Sequence, residues 1–225
     1  MQNKQNFCII ISLGGEKLIT ICINGSPGSG KTTLANNLLR DEKTFVVHCD
    51  QLLNRLKKVL AKDKIKKVYR EHDEISMFLD RESVLFKFLH AKYMENIYEY
   101  LRMKYVKREL KRLMIEAENV GCKYFIVEGL YTTLYSDVCC FDFKIFLRSL
   151  DINRQRRVEF RDRKAEQPFD FSSYVTLSER NVNLYTYDFV IDNNDSIEEF
   201  YKAIEEIGLC IKQQSLILQI QKNLI

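Results

Sequence analysis

Apolar positions along the chain follow two rhythms. Short, nearly continuous apolar runs at 18–23, 44–48, 123–127, 141–147 and 187–191 predict strands buried on both faces. Between them the apolar residues recur at three-to-four-residue spacing: Leu34, Ala35, Leu38 and Leu39 over 31–40, then Leu52, Leu53, Leu56, Val59 and Leu60 after Asp50. From about 74 to 119 no strand signal occurs, and Leu85, Phe86, Leu89, Tyr93, Ile97 and Leu101 keep helical spacing, which predicts a helical insert. Charged helical sequence at 151–164, a helix over 172–183 after Pro168, and a last helix from near Asp195, capped by Asp195 or Ser196, complete the pattern. Strands alternating with helices predict an α/β fold: a mostly parallel sheet with helices on both faces.

Composition narrows the function classes. The 225 residues, 46% hydrophobic and 29% charged, suffice for one principal core. A net charge of +4 is modest, so nucleic acid is not an expected partner, and attraction for phosphorylated ligands has to come from local clusters. Seven cysteines without a CxxC pair or metal-like spacing read as reduced thiols in a cytoplasmic protein. The apolar run 7–11 is far shorter than the roughly 20 residues of a membrane span, so no membrane partner is expected. Residues 1–17 form either an added hairpin strand, with Gly14-Gly15 at its turn, or a disordered extension.

Strong candidate chemistry lies at Gly25-Ser26-Pro27-Gly28-Ser29-Gly30-Lys31-Thr32, a full phosphate-loop pattern that follows a strand and opens a helix. Gly25, Gly28 and Gly30 let backbone N–H groups approach an anion, with Ser29, Thr32 and Thr33 completing the binding set. Lys31 reaches the β- and γ-phosphates, and Thr32 holds Mg²⁺. ATP and Mg²⁺ are therefore the expected cofactors, with ATP and GTP not distinguished. Asp50, at the end of the second strand, is a candidate to orient an acceptor hydroxyl, or else caps the next helix. Glu128 ends a strongly apolar strand, where it serves Mg²⁺ or its water shell, or steadies the turn at Gly129. Arg157 and Arg161 share one helical face in an arginine-rich segment (Arg154, Arg156, Arg157, Arg161, Arg163), either a lid that neutralises transition-state charge or a solvated helix. The basic stretch from Arg55 to Arg70 reads as a solvated face.

Taken in order, the loop, Asp50, Glu128-Gly129, the arginine segment and the last strand resemble the nucleoside and metabolite kinases of the P-loop class. The segment from Asp188 to Ser196, His48-Cys49-Asp50-Gln51-Leu52 and Arg157 with Arg161-Asp162 are similar to dephospho-coenzyme A kinase. That resemblance implies ATP-dependent phosphorylation of a ribose 3′-hydroxyl. Val127-Glu128-Gly129-Leu130-Tyr131, Phe143-Lys144-Ile145-Phe146-Leu147 and Arg156-Arg157 resemble uridine kinase, which implies a nucleoside acceptor. Either way the implied partner is a small-molecule acceptor, and oligomeric state is left open. The implied organisation is an N-terminal extension (1–17), a three-layer P-loop kinase domain (18–208) with an insert at about 74–119 and an arginine-bearing lid at about 154–180, and a C-terminal helical tail (209–225).

Overall fold

The computed structural model of the chain describes residues 18–59, 103–130, 132–163 and 186–223. The expectations for 1–17, for the insert before 103, for the second half of the lid and for most of the basic stretch lie outside these residues.

Five parallel strands form one sheet in the order β2-β3-β1-β4-β5. They are β1 (Ile19–Gly25), β2 (Thr44–His48), β3 (Tyr124–Gly129), β4 (Phe143–Arg148) and β5 (Phe189–Asp192). The chain leaves β1 through α1 (Lys31–Asn37), passes over the position that β3 later fills, and places β2 at the edge. After α2 (Cys49–Val59) it returns through α3 (103–119) to β3. A 3₁₀ turn (Thr132–Tyr135) and the short α4 (Ser136–Cys139) lead to β4 on the other side of β1. The α5 helix (Asp151–Asp162), β5 and α6 (Ile197–Asn223) complete the order.

Alternation along the central strands divides the core into two layers. Ile19, Ile21 and Ile23 of β1, with Tyr124 and Ile126 of β3, face Leu34, Ala35 and Leu38 on one side and Phe200, Ile204 and Ile211 of α6. Cys22, Phe125 and Val127 face the opposite way, onto Leu52 of α2 and Val106, Leu110, Leu113 and Ala117 of α3. Side chains of period two on the sheet thus meet stripes of period 3.6 on the helices, which gives three layers and confirms the predicted α/β class. The end of the expected insert, 103–119, is this covering helix: its apolar stripe is spent on the sheet.

The expected boundary at 208/209 falls within α6, which continues to Asn223. Ile211 is fully buried and Ser215 nearly so, so the helix beyond 208 still packs on the body. Its start is fixed by a capping box: the Glu199 N–H donates to Ser196 Oγ at 3.2 Å, and the Ser196 N–H donates to Glu199 Oε2 at 3.1 Å. Ser196, not Asp195, is therefore the cap. Burial pushes the Cys22 and Cys139 thiols up to about 12, so both are neutral packing groups, as their apolar context predicts.

Ile126 lies at the middle of β3 and has no exposed surface. Ile126→Ala should lower unfolding free energy by about 2–5 kcal/mol, read as a lower urea midpoint with an unchanged slope.

Candidate functional site

The carboxyl ends of parallel strands are where open α/β sheets bind ligands, and here the phosphate loop occupies the end of the central strand. Gly25 is the last residue of β1, and α1 opens at Lys31 with Gly30 as its N-cap, without a capping side chain. The first-turn N–H groups are thus left to an anion. Gly28 and Gly30 have φ of 77° and 103°, the left-handed region that disfavours side chains. Space excludes a side chain as well. A Cβ on Gly28 would stand 2.5 Å from the Arg154 carbonyl oxygen, and one on Gly30 would stand 2.6 Å from Asn193 Nδ2. The glycines are required by protein packed behind the loop as much as by the approach of a ligand in front of it.

Asn193, at the end of β5, organises that packing. Its Nδ2 donates to the Ser29 carbonyl at 2.7 Å, its N–H donates to the Arg148 carbonyl at 2.8 Å, and its own carbonyl accepts from Ser149 Oγ at 2.8 Å. Arg157 closes the same cluster: its guanidinium donates to the Asn193 carbonyl at 3.0 Å, to Ser149 Oγ at 3.1 Å and to the Gly28 carbonyl at 3.4 Å. Desolvation lowers the Arg157 pKa from its usual value. Arg154 is almost fully buried and pairs with Asp151. The first part of the expected lid is therefore a docked helix: Arg157 bonds groups around the loop, and Arg154 is buried and paired with Asp151 on the helix itself. Arg161 differs: it is exposed and pairs with Asp162 at 2.6 Å, and the Asp50 charge also acts on it.

Ser29 is fully buried, so its side chain faces the protein and the residue meets a ligand through its backbone alone. Lys31 Nζ donates to the Ser26 carbonyl at 2.9 Å. Burial lowers its pKa, while the charges of Glu128 and Asp50 oppose that shift and those of Arg154 and Arg161 add to it. The sequence-predicted set of Lys31, Asp50, Glu128 and Arg161 is thus brought within electrostatic reach of one point. Asp50 is exposed in the first turn of α2, where its charge also favours the helix dipole. Thr33, the next residue of α1 after Thr32, is half-buried.

Thr32 and Glu128 meet directly, with Thr32 Oγ1 donating to Glu128 Oε1 at 3.3 Å. The same Oε1 accepts from His48 Nδ1 at 2.8 Å. A hydroxyl and a carboxylate are hard oxygen donors, and Mg²⁺ is characteristically held by one or two such groups together with phosphates and water. No cluster of three or more His, Cys, Asp or Glu that could hold a metal ion occurs among the described residues. The donor set therefore fits Mg²⁺, which when bound would neutralise phosphate charge.

Three contributors escape sequence reading. His48 reaches Glu128 only because β2 lies beside β3, with the two residues in register. Asn193 lies in the segment Asp188–Ser196 that carries the family resemblance, but its bond to the loop at Ser29 is not marked there. Asn24, just before the loop, is buried: its Oδ1 accepts the Thr132 N–H at 2.7 Å and its Nδ2 donates to Tyr187 Oη at 2.6 Å. A buried amide in an apolar strand is the one signal that was available.

No helix among the described residues is long and apolar enough to cross a membrane. A comparison with curated proteins finds no match. Among solved structures, TT1252 from Thermus thermophilus is 21% identical with a TM-score of 0.55, covering 84% of this chain and 96% of that one, and shows the fold. A looser likeness is to shikimate kinase from Acinetobacter baumannii in complex with shikimate, at 16% identity and a TM-score of 0.46, covering 89% of this chain and 94% of that one. The family model described as the KAP family P-loop domain matches residues 6–220, nearly the whole length. The phosphate loop, the parallel sheet that carries it and this match agree: the chain belongs to the KAP family of P-loop domains.

Proposed function

We propose that the chain is an ATP-dependent kinase that transfers the γ-phosphoryl group to a hydroxyl of a nucleoside-containing metabolite. The observation that carries this reading is the placement of two carboxylates about Lys31. Glu128 is buried and bonded to Thr32, on the metal side, whereas Asp50 is exposed and acts on Lys31 and Arg161 through its charge. One carboxylate suffices to help hold Mg²⁺. A second, open to solvent at a neighbouring strand end, is suited to orient an acceptor hydroxyl and take its proton.

In this mechanism the loop N–H groups and Lys31 bind the β- and γ-phosphates, Thr32 and Glu128 hold Mg²⁺, and Arg161 stabilises charge on the transferring group. Arg157 acts through the loop, whose Gly28 carbonyl it bonds. Dephospho-coenzyme A is the first acceptor, on the resemblance of the segment from Asp188 to Ser196, which includes Asn193 behind the loop. Uridine or cytidine is the alternative, on the resemblance around Val127–Tyr131. The family match supports a second reading, hydrolysis with water as acceptor.

An ADP-release assay with dephospho-coenzyme A, uridine and cytidine in turn separates these readings. Acceptor-dependent release is expected. Equal release with and without every acceptor would leave only hydrolysis. Asp50→Asn should lower the acceptor-dependent rate by about 10²–10⁴-fold with ATP affinity unchanged. Lys31→Ala should remove activity, and a rate within twofold of the parent, on the order of ordinary assay scatter, would overturn the role given to Lys31.

Proton linkage offers a further check on Lys31. Burial holds its pKa below the ordinary value, and bound phosphate charge should raise it again. ATP binding should then take up protons on the alkaline side and weaken as pH rises there. Calorimetry in buffers of different ionisation enthalpy reads this uptake, which Lys31→Ala should abolish.

A further inference from the structure

We propose that His48 is a positioning residue for Glu128, holding that carboxylate toward Thr32 and the cation site and away from Lys31. The inference rests on the reading that Thr32 and Glu128 hold Mg²⁺.

His48 and Glu128 are register partners on parallel strands, so their side chains leave the same face of the sheet, the face covered by α1. Glu128 is only 4% exposed. A carboxylate so buried requires donors, and an ionised carboxylate only accepts, so His48 Nδ1 carries the proton of the 2.8 Å bond. The other donor among the described residues is Thr32 Oγ1, at the longer distance of 3.3 Å. Thr32 is also the residue whose oxygen turns to a cation when one binds. His48 is then the fixed point of the carboxylate.

Lys31 is the competitor. Its ammonium feels the Glu128 charge, yet its hydrogen bond goes to the Ser26 carbonyl. Without the imidazole donor, the strongest remaining attraction on Glu128 is that ammonium. Pairing with it would draw the carboxylate from the cation site and the lysine from the phosphates. Ligating carboxylates are commonly fixed in this way by an outer hydrogen-bond partner. The His48 side chain is itself partly open, 19% exposed at the edge strand β2. A packing histidine in a sealed core would have no such opening.

The test is the Mg²⁺ dependence of binding of a fluorescent ATP analogue to the full chain, independent of turnover. His48→Phe keeps a ring and removes the donor, and it should raise the half-saturating Mg²⁺ concentration by about 10–100-fold, with metal-free nucleotide affinity unchanged. His48→Leu should do the same and serves if the Phe variant does not fold. His48→Asn, with a side-chain amide N–H near the position of Nδ1, should restore the parent Mg²⁺ dependence to within about threefold. A donorless variant with the parent Mg²⁺ dependence overturns the proposal, as does an Asn variant no better than Phe. Glu128→Gln, measured in parallel, separates the two levels. If it shifts the Mg²⁺ dependence and His48→Phe does not, the role of His48 alone falls. If Glu128→Gln shifts nothing, the metal role of Glu128 falls and the proposal with it.

Discussion

The hydrogen bond from Asn193 to the Ser29 carbonyl is the constraint on which the site depends. A phosphate loop is a stretch of backbone whose donors must point at an anion before the anion arrives, so its shape has to be imposed from behind. Asn193 does this from the end of β5, the strand farthest from β2. Because Asn193 is itself bound to Arg148, Ser149 and Arg157, the loop is tied to β4, to the start of α5 and to the approach to α6 at once. The close approaches at Gly28 and Gly30 are the steric side of the same arrangement. An edge strand of the sheet thus shapes the loop at its centre.

This arrangement divides the basic residues by role. Arg154 and Arg157 are close in sequence to Arg161 and share its charge, yet they bond protein groups, whereas Arg161 is exposed and answers to Asp50. Guanidinium forks satisfy several carbonyls in fixed geometry, which lysine would not. The loop is therefore braced from its protein side by the Arg157 guanidinium.

How much of this the sequence discloses depends on the range of the interaction. The phosphate loop is contiguous, and its glycines, Lys31 and Thr32 are legible as a unit. The strands are legible because parallel strands buried on both faces are unbroken apolar runs, and the amphipathic stripe of Val106, Leu110, Leu113 and Ala117 marks a helix, though not the face it covers. Pairing across the sheet is not legible. That β3 inserts between β1 and β2 is a matter of topology, and the contact of His48 with Glu128 follows only from that insertion. Arg157 is visible as a charge, but its partners come from residues 28, 149 and 193, each set by a different element. The boundary expected at 208/209 lies inside α6, where the apolar spacing that buries Phe200 and Ile204 continues to Ile211.

The same topology explains why the site has two unlike sides. On the β5 side, Asn193 and Arg157 fix backbone, and the groups involved are bonded to one another, so little is left to change when a ligand binds. On the β2 side, His48, Glu128 and Thr32 share a single carboxylate oxygen, and Asp50 stands exposed one turn beyond. A site of the kind proposed, which would bind polyphosphate, place a cation and admit an acceptor, needs rigidity where the phosphates lie and adjustable side chains where the chemistry varies. The chain meets both needs by putting the phosphate loop on the central strand, with the rigid clasp to one side and the ionisable groups to the other.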